Sequence, residues 1–158
     1  MSKSVHESNA RSSFLIALLQ RVSEARVDVS GECIASINRG ILALIGVQAS
    51  DDESSASHFV SRILNYRIFA DQEDKMNLSL TDINGGLLLV PQFTLAANTR
   101  KGRRPSFTSA AAPALGESVF QAMLKFARES HGIVESGCFG ANMQVQLTND
   151  GPVTFILD

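Results

Sequence analysis

Thr148-Asn149-Asp150-Gly151-Pro152-Val153-Thr154 joins two apolar segments close to the end of the chain. Met143, Val145 and Leu147 alternate with polar residues before it, and Val153, Phe155 and Leu157 alternate after it. Alternation with period two on both sides predicts strand, turn, strand. Asn and Asp tolerate left-handed backbone and Gly has no Cβ to clash, so Asn-Asp-Gly-Pro is a dense turn signal. Pro152 fixes φ and lacks an N–H, so the peptide group before it cannot belong to a regular ladder.

Working outward, the rest of the chain alternates strand-like and helix-like segments. Residues 15–19 are short and apolar, and Arg26-Val27-Asp28-Val29 alternates before Ser30-Gly31 punctuates. These predict two or three antiparallel strands. The unbroken apolar run 41–47, with Gly40 and Gly46 at its borders, predicts a strand buried on both faces. Ser50 and Glu53 have capping-box spacing ahead of a helix. Its apolar face is Ala56, Phe59, Val60, Ile63 and Leu64, which leaves His58 solvated. Residues 66–69 read as a short extended piece, 71–75 as a polar turn and Gly85-Gly86 as the start of a second buried strand, 87–90. Residues 96–112 form a long polar loop with a basic centre. A second helix starts near Pro113, buries Leu115, Val119, Met123, Phe126 and Ala127, and stops near Gly132; Ile133-Val134 opens the last strands. The expected fold is a single α/β domain over residues 15–158, with two helices on a mixed, mainly antiparallel sheet. Residues 1–14 are polar and lack an apolar core, which predicts a disordered extension rather than a secretory signal.

Composition narrows the function. At 158 residues with 44% apolar and 19% charged residues, the chain suits one soluble globular domain. Cys33 and Cys138 match no metal or CxxC spacing, which predicts buried or semi-buried free thiols in a reducing, cytoplasmic setting. No apolar run is long enough to span a bilayer, so no membrane partner is expected. With a net charge of -2, attraction to nucleic acid must come from a local patch. Arg100, Lys101, Arg103 and Arg104 supply one: four cations in five residues, on a Gly-containing loop that can follow a phosphate backbone.

Familiar catalytic arrangements are missing. His6, His58 and His131 fall in the N-terminal extension, on a helix face and at a helix end, and none neighbours a nucleophile in sequence. No cluster has metal-ligand spacing, and Gly85-Gly86 sits in no phosphate-loop frame. Gln92-Phe93-Thr94 stands at the end of an apolar strand, where side chains and free N–H groups gather around crevices. Thr94 offers a hydroxyl without a neighbouring base.

Six stretches carry a resemblance: Gln20-Arg21-Val22, Arg67-Ile68-Phe69, Lys75-Met76-Asn77-Leu78, Gln92-Phe93-Thr94-Leu95, Lys101-Gly102-Arg103-Arg104-Pro105-Ser106-Phe107 and Asn149-Asp150-Gly151-Pro152-Val153-Thr154. In this order, from about residue 15 to the end, the chain resembles the D-aminoacyl-tRNA deacylase family. The resemblance implies a three-layer α/β/β protomer that dimerises through its sheets and needs neither metal nor cofactor. It implies hydrolysis of the ester joining a D-amino acid, or glycine, to the terminal adenosine of tRNA.

The same resemblance implies that the Gly151-Pro152 peptide is cis and enters the partner subunit's pocket, where its carbonyls exclude L-amino acids. Arg21 and Asn149 would belong with that motif. Phe139 and Met143 would line the adenosine pocket, and Gln92, Phe93 and Thr94 would be the catalytic strand end. There the RNA 2′-hydroxyl activates water and backbone N–H groups stabilise the oxyanion. Three positions depart from the family pattern. Pro91 stands where Ser is usual (a metazoan relative has Pro), Asp74 where Gly is usual and Asn98 where Asp is frequent. Two other readings remain: a non-catalytic RNA-binding relative, for which Pro91 is the motive, and an esterase for small D-configured substrates.

Overall fold

The computed structural model describes residues 15–158; the extension expected over residues 1–14 lies outside the described residues. The elements run β1 (Ile16–Val29), β2 (Glu32–Ile37), β3 (Gly40–Gly46), α1 (Ala56–Asn65), β4 (Phe69–Ala70), β5 (Met76–Leu78), α2 (Leu80–Ile83), β6 (Gly86–Pro91), α3 (Pro113–Ser130), β7 (Val134–Ser136) and β8 (Met143–Leu157). This is a mixed α/β domain with one large sheet. It has three helices rather than the two expected, because the single turn of α2 is too short to show a period in sequence.

β1 is the hub of the sheet. On one edge its first half pairs with β3 and its second half with β2, both antiparallel. Ser30 and Gly31 connect β1 to β2 at φ +51° and +81°, the positive values a two-residue type I′ turn requires. β3 then pairs parallel with β6, and β6 parallel with β7. At the β3–β6 junction a Cβ on Gly40 would lie 1.9 Å from the Gly86 carbonyl oxygen, so only glycine lets these backbones approach.

The strands β3 and β6 separate two cores. Ile41, Ala43, Ile45, Leu87 and Leu89 face the helices, among them Phe59 and Ile63 of α1 and Phe120 and Met123 of α3. The alternate residues Leu42, Leu88 and Val90 face the other way, onto Val22, Ala25 and Val27 of β1 and Ala35 and Ile37 of β2. Met143, Val145 and Leu147 of β8 close that second core. Burial on both faces is why these two strands read as unbroken apolar runs. The layers are therefore helices, central strands, and the folded-over ends of β1, β2 and β8.

Several local expectations are corrected. Residues 148–154 are no hairpin: β8 is one strand that pairs with β1 on both sides of them. Alternation alone cannot separate a hairpin from a strand with an outward excursion, because both restart the same period. Helix α1 has the predicted buried face, and His58 is exposed. The capped element, however, is the 3₁₀ turn Glu53–Ser55 that leads into α1, where the Asp52 carboxylate accepts the Ser54 N–H; Ser55, the residue before α1, makes no side-chain cap. Cys33 and Cys138 are exposed, not buried. The polar turn 71–75 links β4 to β5, a strand the sequence did not announce. Asp74, at the position where the family pattern has Gly, takes φ +61°. No helix among the described residues is long and apolar enough to cross a membrane.

Helix α2 is held by a reciprocal cap: the Ser79 N–H donates to Asp82 Oδ2 at 2.8 Å, and the Asp82 N–H donates to Ser79 Oγ at 3.1 Å. The Ser79 N–H first, and the Ser79 hydroxyl second, hold the Asp82 carboxyl below the ordinary carboxylate range. A carboxylate depressed on folding contributes stability above its unfolded pKa of about 4 and loses it as pH falls through the folded value. Asp82→Ala should therefore lower Tm at pH 7, and the gap to wild type should narrow below about pH 4 in thermal melts. A gap that stays constant with pH would show that the ionised carboxylate is not what holds α2.

Candidate active site

The end of β6 sets the geometry. The Gln92 N–H is the last ladder donor, bonded to the Ile45 carbonyl at 2.7 Å, and the chain then turns through a 3₁₀ turn at Phe93–Ala96. The first N–H groups of such a turn, on Phe93 and Thr94, have no acceptor within it. The Gln92 side-chain amide donates to Thr94 Oγ1, so the two polar groups of the strand end are tied to each other.

Beside this turn lies a cleft of about 610 Å³, a size suited to a small-molecule moiety. Pro91, Gln92 and Phe93 line one side, and Phe139 and Met143 the other, with Gly116 of α3 beneath. The Phe139 ring rests on Gly116, where a Cβ would come within 3.4 Å. The Met143 sulfur lies over Gly137, where a Cβ would be 2.8 Å away. The sequence named Phe139 and Met143 but missed both supporting glycines; their only signal was a missing side chain. Thr94 is exposed at the rim and does not line the cleft.

Among the described residues no titratable side chain lines this cleft. His58 is exposed on α1, and His131 Nε2 is engaged with the Gly85 carbonyl at 2.6 Å. No group of three His, Cys, Asp or Glu among the described residues could hold a metal ion. An acid or base for chemistry in the cleft is thus not supplied by these walls. The cleft offers apolar surface, an amide, and N–H donors at the start of a turn.

The second group of candidate residues assembles elsewhere. Gln20 pairs with Thr154 and Val22 with Asn149, so on β1 Arg21 alone faces residues 150–153 of β8. The surplus is extruded. Arg21 Nε donates to the Asp150 carbonyl at 3.0 Å and Nη1 to the Ile68 carbonyl at 2.8 Å. Asn149 Oδ1 accepts the Val153 N–H at 2.7 Å, while its Nδ2 donates to Thr154 Oγ1 at 2.9 Å. Gly151 sits at φ +137°, and a Cβ there would come within 2.7 Å of Val153 Cγ2 and 3.2 Å of Arg21 Nη2. The Gly151-Pro152 peptide is cis, and both residues are exposed. Arg21, Asn149, Gly151 and Pro152 thus come together, but none of them lines the cleft of their own chain.

Arg100, Lys101, Arg103 and Arg104 are exposed on a loop closed at its base, where Asn98 and Ser106 exchange N–H···O bonds of 2.7 and 2.9 Å. The Asn98 side chain, at a position where the family pattern often has Asp, also accepts the Arg100 N–H at 3.0 Å. None of the ion pairs among the described residues involves these four cations.

The chain matches the family model described as D-Tyr-tRNA(Tyr) deacylase over residues 18–158. It is 61% identical over 142 residues to a D-aminoacyl-tRNA deacylase of Pseudomonas aeruginosa, covering 90% of this chain and 98% of that one. Among solved structures, it is similar to one described as c-Myc DNA unwinding element binding protein. That similarity has a TM-score of 0.86 and 38% identity, over 90% of this chain and 97% of the other. A structure of a probable eukaryotic D-amino acid tRNA deacylase shares the fold, with a TM-score of 0.79 and 21% identity over 90% and 98% of the two chains.

The hold of Asn149 on the excursion is directly testable. Asn149→Ala removes the acceptor for the Val153 N–H, a bond of about 1 kcal/mol net. Hydrogen exchange at the Val153 amide should accelerate by about fivefold or more, with Tm falling by no more than a few degrees. Unchanged protection at Val153 would show that Asn149 does not hold the excursion.

Proposed function

The chain belongs to the D-aminoacyl-tRNA deacylase family, and we propose that it hydrolyses the ester between a D-amino acid, or mischarged glycine, and the terminal adenosine of tRNA. The observation that carries this reading is the pairing of an apolar cleft, free of titratable walls, with N–H donors at the Phe93–Ala96 turn. Such a site suits a substrate that brings its own proton-transfer group. On this reading the purine sits between Phe139 and Met143, an aromatic face and a soft thioether. The ester carbonyl then faces the Phe93 and Thr94 N–H groups, which stabilise the negative charge that develops as water attacks. The 2′-hydroxyl of the terminal ribose activates that water. Thr94 is a positioning group held by Gln92, not a nucleophile, since no base neighbours it.

Chirality is assigned to the extruded Gly151-Pro152 peptide acting in a homodimer. In its own chain the peptide lies away from the cleft and points outward, so the proposal gives it to the pocket of the partner subunit. Arg21 and Asn149 hold it from behind, and carbonyls held this rigidly reject an L-side chain by clash without needing tight binding of the D-substrate. The exposed cations at positions 100, 101, 103 and 104 would contact the phosphates of the acceptor strand.

Incubating the purified chain with D-Tyr-tRNA and L-Tyr-tRNA tests the reading: release of D-tyrosine alone supports it. Binding without release would favour the non-catalytic relative, and full activity on tRNA ending in 2′-deoxyadenosine would favour a small-ester hydrolase. Thr94→Ala should retain measurable activity, with kcat falling by less than the about 100-fold that marks the loss of a proton-transfer group. An inactive Thr94→Ala protein that still binds tRNA would restore the nucleophile. A monomeric, fully active and stereoselective chain would remove the cross-subunit wall.

A further inference from the structure

Among the described residues, Phe93 and Phe107 are the two exposed phenylalanines, 59% and 43% accessible, whereas Phe59, Phe69 and Phe120 are buried at 3% or less. Their rings are in contact, with centroids 5.4 Å apart and planes inclined at 50°. Both rings stand at the margin of the cleft. Phe107 follows Ser106, which pairs with Asn98 and closes the base of the basic loop, so Phe107 flanks the loop that carries the four cations and Phe93 lies on the turn just before it. Exposing two large apolar rings side by side forgoes the stabilisation their burial would give, so a ligand surface is the economical explanation.

We propose that Phe93 and Phe107 form a stacking platform for the nucleobase that precedes the terminal adenosine, with Arg100, Lys101, Arg103 and Arg104 following the phosphates beyond it. The inference rests on the reading of the cleft as the seat of the terminal adenosine. An aromatic surface bordered by unpaired cations is the arrangement that binds single-stranded nucleic acid: each base offers a π-face, and each phosphate a charge. Charge decides between candidate occupants. A chain of net charge -2 concentrates four of its 14 cations beside this pair, which favours a polyanionic strand over an apolar peptide. The platform would hold the acceptor end in line, so that the adenosine enters the cleft with its ester at the Phe93–Ala96 turn.

The test compares two substrates: D-Tyr-tRNA, and D-tyrosine esterified to adenosine alone, which has no preceding base. In the full-length protein, Phe107→Ala should raise KM for the tRNA by about fivefold or more, the range for loss of one base–aromatic stack. The penalty on the aminoacyl-adenosine should be several times smaller. Phe107→Leu, which keeps apolar bulk without a π-face, should behave like the alanine variant, and Phe107→Tyr should restore the tRNA KM. Equal penalties on both substrates, or no penalty on either, overturns the platform. So does a change in solution mass on substitution, which would place the pair between copies of the chain. If the wild-type chain cleaves neither substrate, the functional reading itself fails, and the platform with it.

Discussion

Everything in this fold hangs on the pairing of β1. One edge of this single strand holds β2 and β3 end to end, and the other holds β8 over nearly its full length. β3 carries β6 and, through it, the turn at Gln92; β8 carries the extruded Gly151-Pro152 peptide. The mismatch in the β1–β8 ladder, one residue against four, therefore sits in the most heavily paired strand of the molecule. Only a ladder fixed firmly on both sides of Arg21 could keep such an excursion in one conformation rather than letting the register slip. Arg21 adds a second anchor through the Ile68 carbonyl, tying the excursion to the segment that leads into β4.

The arrangement divides the work between side chains and backbone. Side chains build the cleft walls and the ties: Phe139 on Gly116, Met143 on Gly137, Arg21 and Asn149 behind the excursion. In the proposed reading, the groups offered to a ligand are mostly main-chain: N–H donors at the 3₁₀ turn, and carbonyls at the extruded peptide. Main-chain groups are positioned by the sheet itself, so they lose little order when a ligand arrives, which is the condition for effective electrostatic stabilisation of a transition state.

How much of this was legible in sequence depended on period and length. The buried runs 41–47 and 87–90 and the stripe of α1 were readable because their spacing reports burial directly, and the structure confirms them. α2 was not, since four residues hold hardly more than one helical turn. The excursion reads as a hairpin in sequence because its turn chemistry is real, while the strand partner that makes it an interruption lies 129 positions away at Arg21. Of the site residues, Gln92, Phe93, Phe139 and Met143 do share one cleft, and Arg21, Asn149, Gly151 and Pro152 share one excursion. That these are two places in one chain could not be read from sequence, because both motifs lie at strand segments whose relation only the sheet defines.

Pro91 shows how the same sheet absorbs a departure at the site. Proline removes a donor, and in a strand buried on both faces that should break a ladder bond. Here the Gln92 N–H is the one that bonds to Ile45 on β3, so the missing donor at Pro91 faces the opposite edge. On that edge β7 pairs with β6 only as far as Leu89, and the Gly137 N–H that follows bonds back to the Leu89 carbonyl. No acceptor of the ladder waits for residue 91. The ring instead packs towards Gly137, where a Cβ would meet Pro91 Cδ at 3.3 Å, beneath the Met143 sulfur. Pro91 thus leaves the Gln92 turn undisturbed and adds apolar wall to the cleft. A hydroxyl at that position is then dispensable to the site's geometry, which leaves the burden of the proposed chemistry on the turn's N–H groups and on the substrate.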